Sequence, residues 1–510
     1  MTRTDTLHAR FTNIAAAHPD RIAVSDASGA LTYRELAGLS DEVAAALQPF
    51  TSGPGNMVAL RASRSRQAVV GILGILKSGA AYLPIDPAYP VTRQDYLLSD
   101  SGVDVVLTDT DLMAGERQLV SIGDLTLAQR SIARGARVPE GTAYTIYTSG
   151  SSGAPKGCLV GHEHVLALMD SLTVEFTPRL DDVWSVFHSW SFDFSVWELW
   201  GALLHGGQAF VVDKEIAADP GSFGELLRDQ RITVLNQVPS VFSNLVTEAD
   251  RNGLHLPDLR HVIFGGEAMV PEDVRRWWAA RIAPQASVNN TYGITETTVF
   301  VTNCVVTSDV LDARVPDKEA SSGTPIGKPL EHLNITLRDE AGKPVPIGCP
   351  GEIWVSGASV AYGYLGRETL TAERFVQEPE SGSEGHKRFY KSGDLAVADS
   401  AGNLYYIGRN DSQVKLGGYR IELGEIEAVL RTATGVLAAG CLIEEATPGG
   451  IKVLTACVVP DGTAPETPRL RQHLARNLPT YMLPQRFRIV PRLPVTAHGK
   501  IDRQALAQEK

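Results

Sequence analysis

Six residues of hydroxyl and glycine separate an apolar strand candidate from a lysine in Tyr144-Thr-Ile-Tyr-Thr-Ser-Gly-Ser-Ser-Gly-Ala-Pro-Lys-Gly157. Glycines at 150 and 153 let backbone N–H groups converge on an anion, and Thr148, Ser149, Ser151 and Ser152 add hydroxyl donors. Lys156 supplies a compact positive charge at the far end. That combination suits phosphate oxygens. The plainer reading is a flexible Ser/Gly linker, but Pro155, the single lysine and the flanking strand argue against it. The loop is not a Walker A loop, because G-x-x-x-x-G-K-[ST] occurs nowhere in the chain. Nor does the chain hold a G-x-G-x-x-G after a strand, an H-E-x-x-H or a G-x-S-x-G. His162 and His164 flank Glu163 at the wrong spacing for a zinc protease and read as surface or packing residues.

The elements that must position this loop follow from periodicity. Over the first four hundred residues strand and helix signals alternate. Leu36, Leu39, Val43 and Leu47 predict an amphipathic helix over 32–47, and apolar runs at 57–60, 105–107, 145–147 and 262–264 read as strands buried in an α/β sheet. From Asn334 short strands and turns take over (NITLRD, GEIWVSG, NLYYIGR), predicting a β-rich subdomain. The last hundred or so residues read as a small α+β domain, with helices at 422–430 and near 470–478 and a strand at 453–459.

The 510 residues are too many for one ordinary core. A net charge of −12 argues against nucleic acid as a partner, so cations that bind phosphate must be placed locally. No apolar run approaches the ~18 residues of a membrane span, and the N-terminus lacks the apolar core of a signal peptide. Five cysteines without a C-x-x-C pair read as reduced thiols of a cytoplasmic protein.

The chain resembles the adenylation domains of nonribosomal peptide synthetases, within the superfamily of acyl-CoA synthetases and luciferases. The resemblance runs nearly end to end and rests on ten motifs in the family's order. They are Leu31-Thr-Tyr-Arg-Glu-Leu36, Leu76-Lys-Ser-Gly-Ala-Ala-Tyr-Leu-Pro-Ile-Asp86, the phosphate loop and Phe192-Asp-Phe-Ser-Val-Trp-Glu-Leu199. Then come Asn290-Thr-Tyr-Gly-Ile-Thr-Glu296, Gly351-Glu352, Tyr390-Lys-Ser-Gly-Asp-Leu395, Gly408-Arg-Asn-Asp-Ser-Gln-Val-Lys415, Arg420-Ile-Glu-Leu-Gly-Glu425 and Gly499-Lys-Ile-Asp-Arg503. Departures are mild: Ser152 stands for Thr, Ile294 for Pro, Gly417 for Arg and His498 for Asn.

The resemblance implies a large domain, residues 1–410, of two α/β subdomains and a β-rich one. A small mobile α+β lid, 411–510, would follow, with Asp411 as hinge. It implies ATP and Mg²⁺, with the substrate's own carboxylate attacking the α-phosphate. By resemblance, Thr148, Ser149, Gly150, Ser151, Ser152, Gly153 and Lys156 hold the β- and γ-phosphates, and Glu296 ligates Mg²⁺. Tyr292 would stack on adenine, with Gly266, Asn290, Gly293 and Thr295 around it. Asp394 and Arg409 would meet the ribose, and Lys500 would bridge the carboxylate and the α-phosphate.

Asp193 separates amino-acid activators from acyl- or aryl-CoA ligases, because in the family it pairs with the substrate ammonium; the plain alternative is a helix N-cap. The other pocket positions fall on Phe194, Trp197, Asn236, Ile263, Gly265, Thr291, Val299 and Phe300. Phe194, Trp197 and Phe300 would leave a shallow pocket, and Asn236 and Thr291 would offer polar contacts to a β-hydroxyl. The set is similar to threonine-type pockets, with Thr291 and Phe300 differing, and points to threonine, 2-aminobutyrate or valine. A free-standing enzyme is expected, loading a phosphopantetheinylated carrier protein in trans, with an MbtH-like protein as candidate helper. Two rival readings remain: an acyl- or aryl-CoA ligase, and a non-catalytic nucleotide-binding homologue. Glu296, Asp394 and Lys500 together argue against the latter.

Overall fold

The structure is a computed structural model. It describes residues 5–52, 55–130, 137–150, 154–313, 323–379, 386–410, 413–445, 452–494 and 501–508. Ser151, Ser152, Gly153, Asp411 and Lys500 lie outside the described residues. The chain forms two compact units: Met1–Asp86, Ser101–Ile146 and Gly157–Asn410 make the first, and Pro87–Asp100, Tyr147–Lys156 and Asp411–Lys510 the second.

The first unit holds two sheets. In the larger, parallel strands Ile22–Asp26, Gln208–Val211, Val183–Val186, Val234–Gln237, His261–Phe264 and Ser287–Tyr292 lie side by side. Strands 234–237 and 261–264 are almost wholly buried, Asn236 and Gln237 included, as strands covered on both faces must be. Antiparallel strands Thr302–Val306 and Thr324–Pro329 then extend the sheet into Leu404–Arg409, His386–Ala398, Gly351–Gly357 and Leu333–Arg338. The β-rich region expected from residue 334 is therefore the antiparallel wing of the same sheet. The second sheet, of eight strands, includes Met57–Arg61, Ala81–Ile85, Thr142–Thr148 and Lys156–Gly161.

One core runs through helices Leu7–Ala17, Tyr33–Leu47, Arg66–Lys77, His162–Glu175 and Phe194–Leu203 and strands of both sheets. Every residue of Phe194–Leu203 is buried, so the helix following Asp193 has no solvent face. The helix predicted from residue 32 starts at Tyr33. Thr32 caps it: its hydroxyl accepts from Glu35 N while the Glu35 carboxylate accepts from Thr32 N at 2.8 Å. A second core packs helices Pro220–Asp229, Pro239–Asn252 and Pro271–Ala279 through Phe223, Phe242 and Trp277.

The second unit contains the hairpin Gln413–Leu416/Tyr419–Glu422, helix Leu423–Arg431 and a sheet of Val436–Glu445, Lys452–Pro460 and Arg486–Ile489. The helix expected near 470–478 runs from Thr467 to Ala475, because Pro468 presets the first turn and Leu478 packs in the core beyond the helix end. All five cysteines are free thiols. Among the described residues no helix is long and apolar enough to cross a membrane.

Candidate active site

Alternation along parallel strands gathers several of the expected pocket residues. Asn236 pairs in register with Ile263, so both side chains share one face, and Gly265, two residues on, continues it. Asn290, Thr291 and Tyr292 end the neighbouring strand. The residues collect at the carboxyl ends of the strands, where open α/β sheets bind ligands.

Asp193 sits at the head of helix Phe194–Leu203, 6% exposed, and its side chain makes no capping hydrogen bond. Asp193 thus holds the N-cap position without using its carboxylate as a cap. The helix it heads carries part of an aromatic wall: Phe300 meets Phe194 edge-on at 5.1 Å and Trp197 at 4.9 Å between centroids. A Cβ on Gly265 would stand 2.8 Å from the Phe300 ring, so glycine is what lets the ring lie there. The wall's backbone is strained, because Thr298 and Val299, both β-branched, have φ of 59° and 65°. Gly293 explains the fit, since a Cβ there would be 1.8 Å from Val299 O.

The two polar pocket residues are already engaged. Asn236, fully buried, accepts Trp197 Nε1–H at 3.0 Å and donates Nδ2–H to Ser185 O at 3.2 Å. Thr291 donates its hydroxyl to Phe264 O. These contacts commit the polar faces expected to meet a β-hydroxyl to the protein itself.

A second cluster lies on strands 287–292, 386–398 and 404–409. Asp394, fully buried, accepts from Tyr292 Oη at 2.7 Å and Arg409 Nη1 at 2.6 Å, and Ser392 Oγ accepts from Asp394 N at 3.0 Å. Burial and the neighbouring Asp394 carboxylate push the Tyr292 phenol well above its usual range, so it stays a proton donor. Asn290 donates to Pro325 O at 2.7 Å, while its buried Oδ1 has no partner among the described residues. An orphaned buried acceptor fits an exocyclic amine such as that of adenine.

Glu296 lies in the short 3₁₀ turn Thr295–Thr297, fully buried, and accepts from Tyr364 Oη at 2.7 Å. Among the described residues no three His, Cys, Asp or Glu side chains form a metal cluster. One hard carboxylate suits Mg²⁺, which takes few protein ligands and the remainder from phosphates and water.

Of the phosphate loop, the described residues belong to the second unit. Buried Thr148 Oγ1 has no partner among the described residues, whereas Ser149 Oγ donates to Arg420 O at 2.7 Å and accepts from Glu422 N at 3.1 Å. Ser149 is thus held by the hairpin 413–422. Lys156 is buried at the start of strand Lys156–Gly161. Gly266, with φ 85°, follows Gly265. Tyr364, Ser392 and Ser185 did not stand out in the sequence. Ser392 sits inside the motif Tyr390–Leu395, which was its one available signal.

Residues 11–365 match the model of the AMP-binding enzymes, and 425–500 match that of the AMP-binding enzyme C-terminal domain. The chain belongs to the AMP-binding enzyme family. It is 40% identical to syringomycin synthase SyrB1 of Pseudomonas syringae pv. syringae over 98% of this chain and 81% of that protein. It is 39% identical to a dimodular nonribosomal peptide synthase of Bacillus subtilis (strain 168), over 98% of this chain and only 21% of that protein. Its fold matches holo-PA1221, a nonribosomal peptide synthetase protein containing adenylation and PCP domains, with TM-score 0.82 and 32% identity over 98% of this chain and 84% of that one. This AMP-binding enzyme is an adenylate-forming ligase of the peptide-synthetase adenylation type, and such enzymes use ATP.

Proposed function

We propose that the protein converts a small aliphatic amino acid to its aminoacyl-adenylate and passes it to a carrier-protein thiol. The observation that supports this most is Asp193, a buried carboxylate not used for capping at the head of the helix that carries Phe194 and Trp197, which Phe300 meets edge-on. It would pair with the substrate ammonium, while the wall limits the side chain to a few heavy atoms. Because Asn236 and Thr291 are committed to protein partners, 2-aminobutyrate and valine suit the pocket better than threonine.

A carboxylate oxygen of the substrate attacks the α-phosphorus of ATP, and the bond to pyrophosphate breaks. No protein nucleophile is needed. The task is in-line positioning of two anions and neutralisation of charge. Asn290 Oδ1 and Gly266 would hold the adenine edge, Tyr292 its face, Asp394 and Arg409 the ribose, and the loop 148–156 with Lys156 the terminal phosphates. Glu296 would hold Mg²⁺, which neutralises phosphate charge when bound. Lys500, carried on a lid beginning at Asp411, would bridge the reacting oxygens.

Pyrophosphate exchange across 2-aminobutyrate, valine, threonine, alanine, leucine and phenylalanine tests this reading. Exchange with the first three and little with phenylalanine is expected. Exchange with no amino acid, together with turnover of a simple carboxylic acid and coenzyme A, would replace it with the acyl-CoA ligase reading.

A further inference from the structure

Glu296 lies at the bottom of a chain of phenols. Tyr364 donates its Oη–H to Glu296 Oε1 at 2.7 Å, and Tyr390 Oη lies 3.2 Å from Tyr364 Oη. A carboxylate only accepts, so the Tyr364 proton is committed to Glu296 and the Tyr390 hydroxyl is the donor in the second bond. Tyr364 and Tyr390 are 4% and 1% exposed. The Tyr364 ring is fixed edge-on by Phe375 at 5.5 Å, and its backbone N–H donates to Thr371 Oγ1 at 3.0 Å. Ala361 N donates to Glu296 O at 3.0 Å, so main chain and side chain of the acid are held by one short segment.

A buried carboxylate needs donors, and the kind of donor decides what else it can bind. A phenol that donates to one oxygen adds no positive charge and fixes the rotation of the carboxyl group. We propose that Tyr364, supported by Tyr390, is a positioning residue for the divalent cation, orienting Glu296 to receive it. This rests on the reading of Glu296 as the Mg²⁺ ligand.

Tyr364→Phe keeps the ring and removes only the hydroxyl. The test is ATP binding without amino acid, followed by calorimetry over a series of Mg²⁺ concentrations, with Mn²⁺ uptake in the presence of a non-hydrolysable ATP analogue followed by electron paramagnetic resonance. Metal half-saturation should weaken about 10- to 100-fold, while metal-free ATP affinity stays put. Tyr390→Phe, which removes the supporting donor, should shift the metal dependence in the same direction by less. Metal dependence within twofold of the parent in both variants overturns the proposal, as does an equal loss of metal-free ATP binding. Glu296→Gln separates the two levels. If it abolishes the metal dependence while Tyr364→Phe leaves it within twofold of the parent, the role of Tyr364 fails alone. If it leaves the metal dependence intact, the ligand reading fails.

Discussion

Trp197 gives its indole proton to Asn236 Oδ1 at 3.0 Å, and the same amide gives an Nδ2 proton to Ser185 O at 3.2 Å. The asparagine therefore braces the aromatic wall from below. Asn236→Leu would orphan a buried indole N–H and a buried carbonyl, costing about 1–3 kcal/mol of stability. The expected result is a lower urea midpoint with the threonine-to-valine exchange ratio within a few fold of the parent. A selective tenfold loss of threonine would show that Asn236 reads the substrate hydroxyl after all.

Phe300 is the element of the wall most open to change, since its ring lies over Gly265 and touches both Phe194 and Trp197. Phe300→Ala should lower stability by about 3–5 kcal/mol through the cavity it leaves. It should also bring leucine and phenylalanine into the exchange reaction, with small substrates weakened by lost packing. An unchanged substrate range would mean that another residue sets the depth of the pocket.

Much of this was legible in the sequence because it depends on periodicity and motif order. The helix at 33–47, the strands at 57–61, 105–108 and 261–264 and the turn to β-rich structure all follow local patterns. Asp394 and Arg409 fall together because they are register partners on neighbouring strands, and both lie in recognisable motifs. What the sequence could not carry was how polar side chains divide their bonds. Asn236 offers the same amide to a substrate as to Trp197, and only the fold decides which is in reach. Tyr364 is 68 residues from Glu296, and no spacing rule links them. Nor does local propensity foresee positive φ at Thr298 and Val299; the absence of a Cβ on Gly293 makes room for it.

The first unit should be acid-sensitive through its buried histidines. Burial, aided by nearby His8, lowers His162 to about 3; burial, aided by Arg388, lowers His164 to about 4. Both ring Nδ1 atoms accept backbone protons, from Leu7 N at 3.3 Å and Gly161 N at 2.9 Å, so the native state keeps them neutral. The unfolded chain takes up protons below ~6.5, so it binds more protons than the native state as pH falls. Stability is complete above that value and declines towards pH 4, by up to about 1.4 kcal/mol per pH unit for each histidine. Urea midpoints between pH 7.5 and 5 should show the decline, and His162→Gln, which keeps an acceptor for Leu7 N, should flatten it. A variant as acid-sensitive as the parent would place the cause elsewhere.

Asp193 is the residue on which the amino-acid reading stands. Its carboxyl is 6% exposed at the head of a helix it does not cap, beside a wall that offers an ammonium no other charge. A helix N-cap would be satisfied by backbone N–H groups, and its loss would cost about 1 kcal/mol of stability and leave catalysis in place. An ammonium partner behaves differently: without it the substrate's charge is buried uncompensated, at about 3–5 kcal/mol. Asp193→Asn preserves shape and removes the charge. It should therefore raise the amino-acid KM by roughly two to three orders of magnitude while the KM for ATP changes little. The two KM values, measured in pyrophosphate exchange with the cognate amino acid, decide between the roles. If the amino-acid KM holds and only the unfolding midpoint falls, Asp193 is a structural carboxylate and the pocket must recognise an acid that carries no ammonium.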